Sequence, residues 1–275
     1  MITHFNTMVK NEALLLDKVL PIWKKYPINF FVFYDDNSSD NTVEIIEKHL
    51  EKDRFIIFND KLENFNESYN RFKMIEYSRD KSDYIFCIDS DELLSSNIIE
   101  NFNEFLKLYD VCNLQLYWYN VVDSLSTYRY DNAYKGAFGG FITKSKYASN
   151  MNLSLSKYHT SPRYVNSVLP INYTNSYGII HLQSLNRRYY ALKQLWYKHF
   201  EQKTWGHGVD ELNSKYDTVV NNFDFNLQNT PIEIYKGINF DSNIFENICD
   251  SKGYINFIKE NYNTELITFG KEYII

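Results

Sequence analysis

The chain has 275 residues, a net charge of −6 at neutral pH, and an aromatic content of 17% that includes 24 Tyr and 20 Phe. A chain of this length can bury a full core, in one domain or two. Its acidic balance argues against a nucleic-acid partner, which favours a basic face, but leaves room for a diphosphate whose charge a metal ion offsets.

Thr3 to Met8 reads as a first strand that runs into the turn Val9-Lys10-Asn11-Glu12, with a helix following to about Lys25. Phe30 to Tyr34 is a second apolar run, ending in Asp35-Asp36-Asn37-Ser38-Ser39-Asp40-Asn41-Thr42. A helix over 40–52 follows, with Ile45, Ile46 and Leu50 on one face. A third strand over 55–59 precedes a helix over 65–79, whose Phe65, Tyr69, Phe72 and Ile75 fall at helical spacing and read as core. Tyr84 to Ile88 is a buried strand stopped by Asp89-Ser90-Asp91-Glu92, and a helix is expected over 95–108. This alternation of strand and helix indicates parallel pairing with crossover helices.

Three acids in four positions at a strand end suit a hard cation such as Mg²⁺ or Mn²⁺. The same residues also suit a solvent-facing loop in which Ser90 or Asp91 caps the next helix. The upstream acidic loop favours the first reading. In an open α/β sheet, ligands bind beyond the carboxyl ends of the strands, so both loops fall on one binding edge.

Taken together, Met8-Val9-Lys10-Asn11-Glu12, the Asp35–Thr42 loop and Asp89-Ser90-Asp91-Glu92 resemble the nucleotide-sugar domain of family 2-like glycosyltransferases. The resemblance is specific over residues 1 to about 120. It implies a GT-A fold: α/β, Rossmann-like, a mostly parallel central sheet flanked by helices, here with a C-terminal helical extension. Residues 1–205 would form that domain, and 206–275 a mainly helical extension packed on it. Asn37 and Asn41 stand where the family usually has Gly; Asn tolerates left-handed backbone better than other residues with a side chain.

The resemblance also implies chemistry. Asp36 would hydrogen-bond the nucleotide base, with Val9, Lys10, Asn11 and Glu12 packing beside it. Asp89 and Ser90 would meet the ribose or a metal-bound water, and Asp89, Asp91 and a late histidine, His181, would hold Mn²⁺ or Mg²⁺. The donor would be a nucleoside-diphosphate sugar, UDP-linked, and the acceptor a glycan, a lipid-linked group or a protein. Transfer would proceed with inversion.

Beyond residue 110 the rhythm changes. Val111 to Tyr119 alternates as a strand, with Leu114, Leu116 and Trp118 on one face. Residues 123–150, rich in Tyr, Gly and Ser, lie where such enzymes build the acceptor side. Tyr177 to His181 is a short strand and Arg187 to Gln202 a strong helix. His181 reads either as the metal ligand or as a capped or core histidine. His159, in Lys157-Tyr158-His159-Thr160, is a candidate catalytic base; related segments often carry Glu where Thr160 stands. Arg163 suits a phosphate and equally a surface role. Lys193 and Tyr197 match a Lys-x-x-x-Tyr pattern, readable as an aid to the leaving group or as a solvated helix face. Asp210, in the polar glycine-containing loop from Trp205 to Glu211, is an alternative base. Residues 244–262 suggest one or two capping helices.

Cys87, Cys112 and Cys249 are odd in number and lack metal-ligand spacing. The first two sit in apolar strands as buried thiols, which suits a reducing compartment. No signal-like leader and no apolar run of the roughly 18 residues a span needs is visible. A cytoplasmic protein, or one peripheral to a membrane, is expected. Two other functions share these features. A nucleotidyltransferase would usually show a Gly-rich basic loop after the first strand, which Met8 to Asn11 lacks. A non-catalytic nucleotide- or carbohydrate-binding module would not need the full acidic set.

Overall fold

The computed structural model describes residues 1–61, 66–108, 113–131, 138–148, 171–221 and 226–274. His159, Arg163, Phe65 and Cys112 lie outside the described residues. The first half alternates as expected: β1 (Thr3–Val9), α1 (Ala13–Trp23), β2 (Phe30–Asp35), α2 (Thr42–His49), β3 (Phe55–Phe58), α3 (Glu67–Arg79) and β4 (Tyr84–Cys87). Strands β3, β2, β1 and β4 lie side by side and all parallel. β1 is buried along almost its whole length, as a central parallel strand covered on both faces must be. Leu15, Leu16, Val19, Leu20 and Trp23 form the buried stripe of α1. The Trp23 ring packs 4.8 Å from that of Phe5 on β1.

The expected helix over 95–108 differs. Residues 92–94 form a short strand β5 (Glu92–Leu94), followed by two helices, α4 (Ser96–Glu100) and α5 (Phe102–Leu108). The break falls at Asn101, whose side chain donates to the Asn97 carbonyl at 3.2 Å. That bond offers the chain a local alternative to a continuous helix.

The second half extends the sheet through β6 (Asn113–Val122), β7 (Ser124–Arg129), β8 (Phe138–Lys144), β9 (Ile171–His181) and β10 (Leu227–Asn229). β8 joins β4 antiparallel, and β6 joins β8 antiparallel. β6 pairs with β9 in parallel along its other edge. β5 lies antiparallel on the end of β9, with Glu92 opposite His181. β10 adds itself to β7, so the chain beyond residue 205 contributes to the same sheet. The strand expected over 177–181 is thus the end of a longer one.

Helix α6 (Arg187–Trp205) is capped by the Asn186 side chain and closed by Gly206, whose φ of 72° is the left-handed geometry that favours glycine. The expected 205–211 loop is therefore short, and α7 (Val209–Asn221) already includes Asp210 and Glu211 in its first turn. Three further helices follow: α8 (Ile232–Tyr235), α9 (Ile244–Ser251) and α10 (Tyr254–Glu260). α9 packs on α1 and α6, and α10 on α6. Among the described residues no helix is long and apolar enough to cross a membrane.

Candidate active site

Because β1, β2 and β4 are parallel neighbours, their carboxyl ends bring the 9–12 turn, the 35–42 loop and the 89–92 loop to one edge. The first two are interlocked. The Asp36 amide donates to the Val9 carbonyl at 2.9 Å. The Asn11 amide donates to Ser38 Oγ at 2.9 Å, and Asn11 Oδ1 accepts the Ser39 amide at 2.8 Å. Glu12 and Ala13 donate their amides to Thr42 Oγ1 and Asp40 Oδ2 at 2.7 and 3.1 Å. Ser38, Ser39, Asp40 and Thr42 are therefore spent in holding the turn that leads into α1 and the helix's first amide, a donor that a helix leaves unsatisfied. Asn37 takes φ 57° and Asn11 φ 51°, so Asn does supply left-handed backbone at 37. Asn41 sits at φ −79° as the residue before α2 and needs no such freedom.

Asp36 is buried, and it accepts from Lys10 Nζ at 2.8 Å and from Asn70 Nδ2 at 3.4 Å. Asn70 lies on α3, and its Oδ1 is buried without a hydrogen-bond partner among the described residues. The next residue, Arg71, donates to Glu67 Oε1 at 2.8 Å and to Asp89 Oδ1 at 3.0 Å. Burial works to lower its pKa, but Asp89 and Glu67 raise it further. The expected core face of α3 is thus corrected. Tyr69 and Phe72 are half-buried, while Glu67, Asn70 and Arg71 are buried beside Met74 and Ile75. The polar end of that stripe links Asp36 to Asp89.

Asp91 is not the solvent-facing residue its sequence suggests. It is 4% exposed, and Leu182 donates its amide to the Asp91 carbonyl at 2.8 Å. The β5–β9 pairing therefore sets Asp91 beside His181, with His181 Nε2 3.6 Å from Asp91 Oδ2. Lys193, on the second turn of α6, reaches the same oxygen at 2.8 Å. Lys193 is also not on a solvated face, since its side chain is 14% exposed. Burial would raise the Asp91 pKa, but the Lys193 ammonium and His181 outweigh it and hold the carboxyl well below the usual range. Burial works against the Lys193 charge too, and Asp91 more than offsets it. Tyr197, one turn further on, has its hydroxyl pushed up to about 12, chiefly by burial, so it is a poor base.

His181 is oriented from behind. Its Nδ1 meets Asn120 Oδ1 at 2.7 Å, and the Asn120 amide nitrogen faces the Trp118 carbonyl at 3.5 Å. Nδ1 therefore donates to Asn120, which leaves Nε2 turned towards Asp91. The Trp118 ring stacks on His181 with centroids 4.8 Å apart. Its indole N–H donates to Glu92 Oε1 at 2.7 Å, while Glu92 Oε2 accepts the Asp89 amide at 2.8 Å. Glu92 therefore braces the acidic turn and is not itself turned to a ligand.

Among the described residues no group of three His, Cys, Asp or Glu side chains converges on one point. Asp91 Oδ2 and His181 Nε2 do converge, a carboxylate oxygen that suits Mn²⁺ or Mg²⁺ and an imidazole nitrogen that suits a transition ion rather than Mg²⁺. The two fit such an ion if substrate phosphates and water complete its shell, as they commonly do for Mg²⁺. Asp89 faces Arg71 and so suits a positioning or ribose-facing role better than direct ligation. Ser90 is buried beside it, and Asp210 is exposed on α7. Asn70, Arg71, Trp118 and Asn120 escape sequence reading because each acts on a residue distant in the chain.

A family model for "Glycosyl transferase family 2" matches residues 9–162 of this chain, more than half of its length. The chain belongs to glycosyl transferase family 2. It is a glycosyltransferase with the α/β GT-A architecture that the motifs implied. No curated protein sequence matches it. Among solved structures it is similar to S. aureus TarS 1-349 in complex with UDP, at 12% identity and a TM-score of 0.46, over 94% of this chain and 82% of that one. It is also similar to the mannosyltransferase PcManGT from Pyrobaculum calidifontis in complex with GDP-Man and Mn²⁺, at 9% identity and a TM-score of 0.46, over 96% and 76%.

Proposed function

We propose that this glycosyltransferase moves a sugar from a nucleoside-diphosphate sugar, UDP-linked, to an acceptor hydroxyl with inversion, and that it depends on Mn²⁺ or Mg²⁺. The observation that carries the reading is the convergence of Asp91 and His181 on the same sheet edge as Asp36 and Asp89. Asp36, held at the edge by Lys10 and Asn70, would accept a hydrogen bond from the base. Asp89, oriented by Arg71 and by the Glu92 bracket, would face the ribose. Asp91 and His181 would hold the metal, which when bound supplies Lewis-acid charge to the departing diphosphate. Lys193 stands beside that charge and would add to its neutralisation once freed from Asp91.

An acceptor hydroxyl needs a base to take its proton. We assign that role to His159 or Asp210. The acceptor is a glycan, a lipid-linked group or a protein, reaching the site from the 123–150 side in a cytoplasmic or membrane-peripheral protein. We divide the chain into a GT-A domain over 1–205 and a mainly helical extension over 206–275 packed on it, which adds β10 to the sheet. The test is release of nucleoside diphosphate from a panel of UDP- and GDP-sugars with Mn²⁺. Release from a UDP-sugar that is lost in a folded Asp91→Asn variant supports the reading. No release from any donor, with or without candidate acceptors, overturns it.

A further inference from the structure

The corner between α9 and α10 reaches the donor edge through Lys252. Helix α9 ends at Lys252, and the following Gly253 takes φ 67°, a left-handed corner from which α10 departs. From that corner Lys252 Nζ lies 2.5 Å from Glu12 Oε1 and donates to the Lys10 carbonyl at 3.2 Å. Both bonds fall on the β1–α1 turn, and the Lys10 side chain on that turn is the partner of Asp36.

The pair is an expensive way to dock a helix. The Lys252 side chain is 5% exposed and that of Glu12 15%. Burial pushes the Glu12 carboxyl up and the Lys252 ammonium down, so each relies on the other to stay charged. Buried ion pairs commonly add little net stability over apolar residues of the same size. Nor does α9 need this one for docking, because Phe245, Ile248 and Cys249 are already buried in the main core. What the pair does is local. It fixes a turn whose Asn11 is in left-handed backbone, and it sets its two charges within reach of Asp91 and Lys193, which interact electrostatically with both. Tyr254, the first residue of α10, is buried near the same Lys193.

We propose that Lys252 is a positioning residue of the nucleotide site. It holds the Val9–Glu12 turn from the side of α9 and α10, so that the donor edge is complete only with those helices in place. The inference rests on the nucleotide-sugar reading above.

The test compares wild type with Lys252→Met and with the double variant Glu12→Gln/Lys252→Met, in which no buried charge is left unpaired. Three readouts are needed: melting temperature, UDP affinity with Mn²⁺ by calorimetry, and hydrogen exchange of the 10–13 amides without nucleotide. The double variant should melt close to wild type, exchange those amides faster, and bind UDP at least fivefold more weakly. Lys252→Arg, which keeps the cation, should recover most of that affinity. A folded double variant that binds UDP within twofold of wild type overturns the proposal, whatever its melting temperature. If wild type binds no nucleotide, the functional reading itself fails and this inference with it. That result is distinct from normal binding in both proteins, which would remove the role of Lys252 alone.

Discussion

The side-chain oxygen of Asn120 accepts the Nδ1 proton of His181 at 2.7 Å, and this one bond decides which imidazole nitrogen faces Asp91. Outer partners of metal-binding histidines fix both tautomer and ring orientation, and their loss commonly costs about 10–100-fold in metal affinity. Asn120→Leu should therefore weaken Mn²⁺ binding by about tenfold or more in the presence of UDP, measured by calorimetry or electron paramagnetic resonance. An unshifted titration would place His181 outside the metal site and return it to the role of a core histidine.

Asp91→Ala should do more than stop transfer. It strips a buried lysine of its partner, a type of change that costs roughly 3–5 kcal/mol. For a chain of this size the melting temperature should fall by roughly 10 °C. Asp91→Asn, which keeps a hydrogen-bonding oxygen, should fall less while still losing activity. Equal melting temperatures for Asp91→Ala and wild type would mean that Lys193 has another partner in solution.

Lys193 and a metal ion both seek Asp91 Oδ2. Lys193→Met should leave Asp91 buried and uncompensated, so the variant gains more from Mn²⁺ than wild type does. A ligand that binds the folded state raises stability by mass action. The Mn²⁺-induced rise in melting temperature should thus be larger in Lys193→Met than in wild type, and a smaller rise would show that the lysine assists metal binding.

His4 gives a prediction independent of function. It is buried on β1, with Nδ1 3.1 Å from Ser78 Oγ. Burial, aided by Lys81, lowers its pKa from 6.5 to about 4. Below about pH 6.5 the unfolded chain takes up a proton that the folded chain refuses until about pH 4, so stability falls as pH drops through that window. The loss is at most roughly 3–4 kcal/mol, at about 1.4 kcal/mol per pH unit. His4→Gln should flatten the fall of melting temperature between pH 6.5 and pH 4, and an identical pH profile in both proteins would contradict the assignment.

The parallel half of the sheet was legible because each strand is a short apolar run stopped by charge, and each following helix carries its stripe at regular spacing. Asp36, Asp89 and Asp91 stood out for the same reason: polar residues at the ends of buried strands. The second half was less readable. β9 looked short because Thr174, Asn175 and Ser176 interrupt the alternation of Ile171, Tyr173 and Tyr177, and β10 has three exposed residues and no pattern at all. The partners of the site were hidden for another reason. Asn70 and Arg71 sit in a helix that reads as an apolar stripe, and Lys193 and Lys252 look like ordinary surface lysines. The packing of α3 on β1, β2 and β4 brings Asn70 to Asp36 and Arg71 to Asp89, the pairing of β5 with β9 sets Asp91 near Lys193, and the packing of α9 on α1 brings Lys252 to Glu12; such long-range pairing leaves no local mark in the chain.

The central claim is that the sheet edge binds a nucleoside diphosphate through a metal. Calorimetric titration of UDP into wild type and Asp36→Ala, each with Mn²⁺ and with chelator, tests it most directly. Wild type should bind at least tenfold more tightly with Mn²⁺, about 1.4 kcal/mol, and Asp36→Ala should bind more weakly than wild type in Mn²⁺ while keeping the metal dependence. Equal UDP affinity in Mn²⁺ and in chelator, or undiminished binding in Asp36→Ala, would contradict the account.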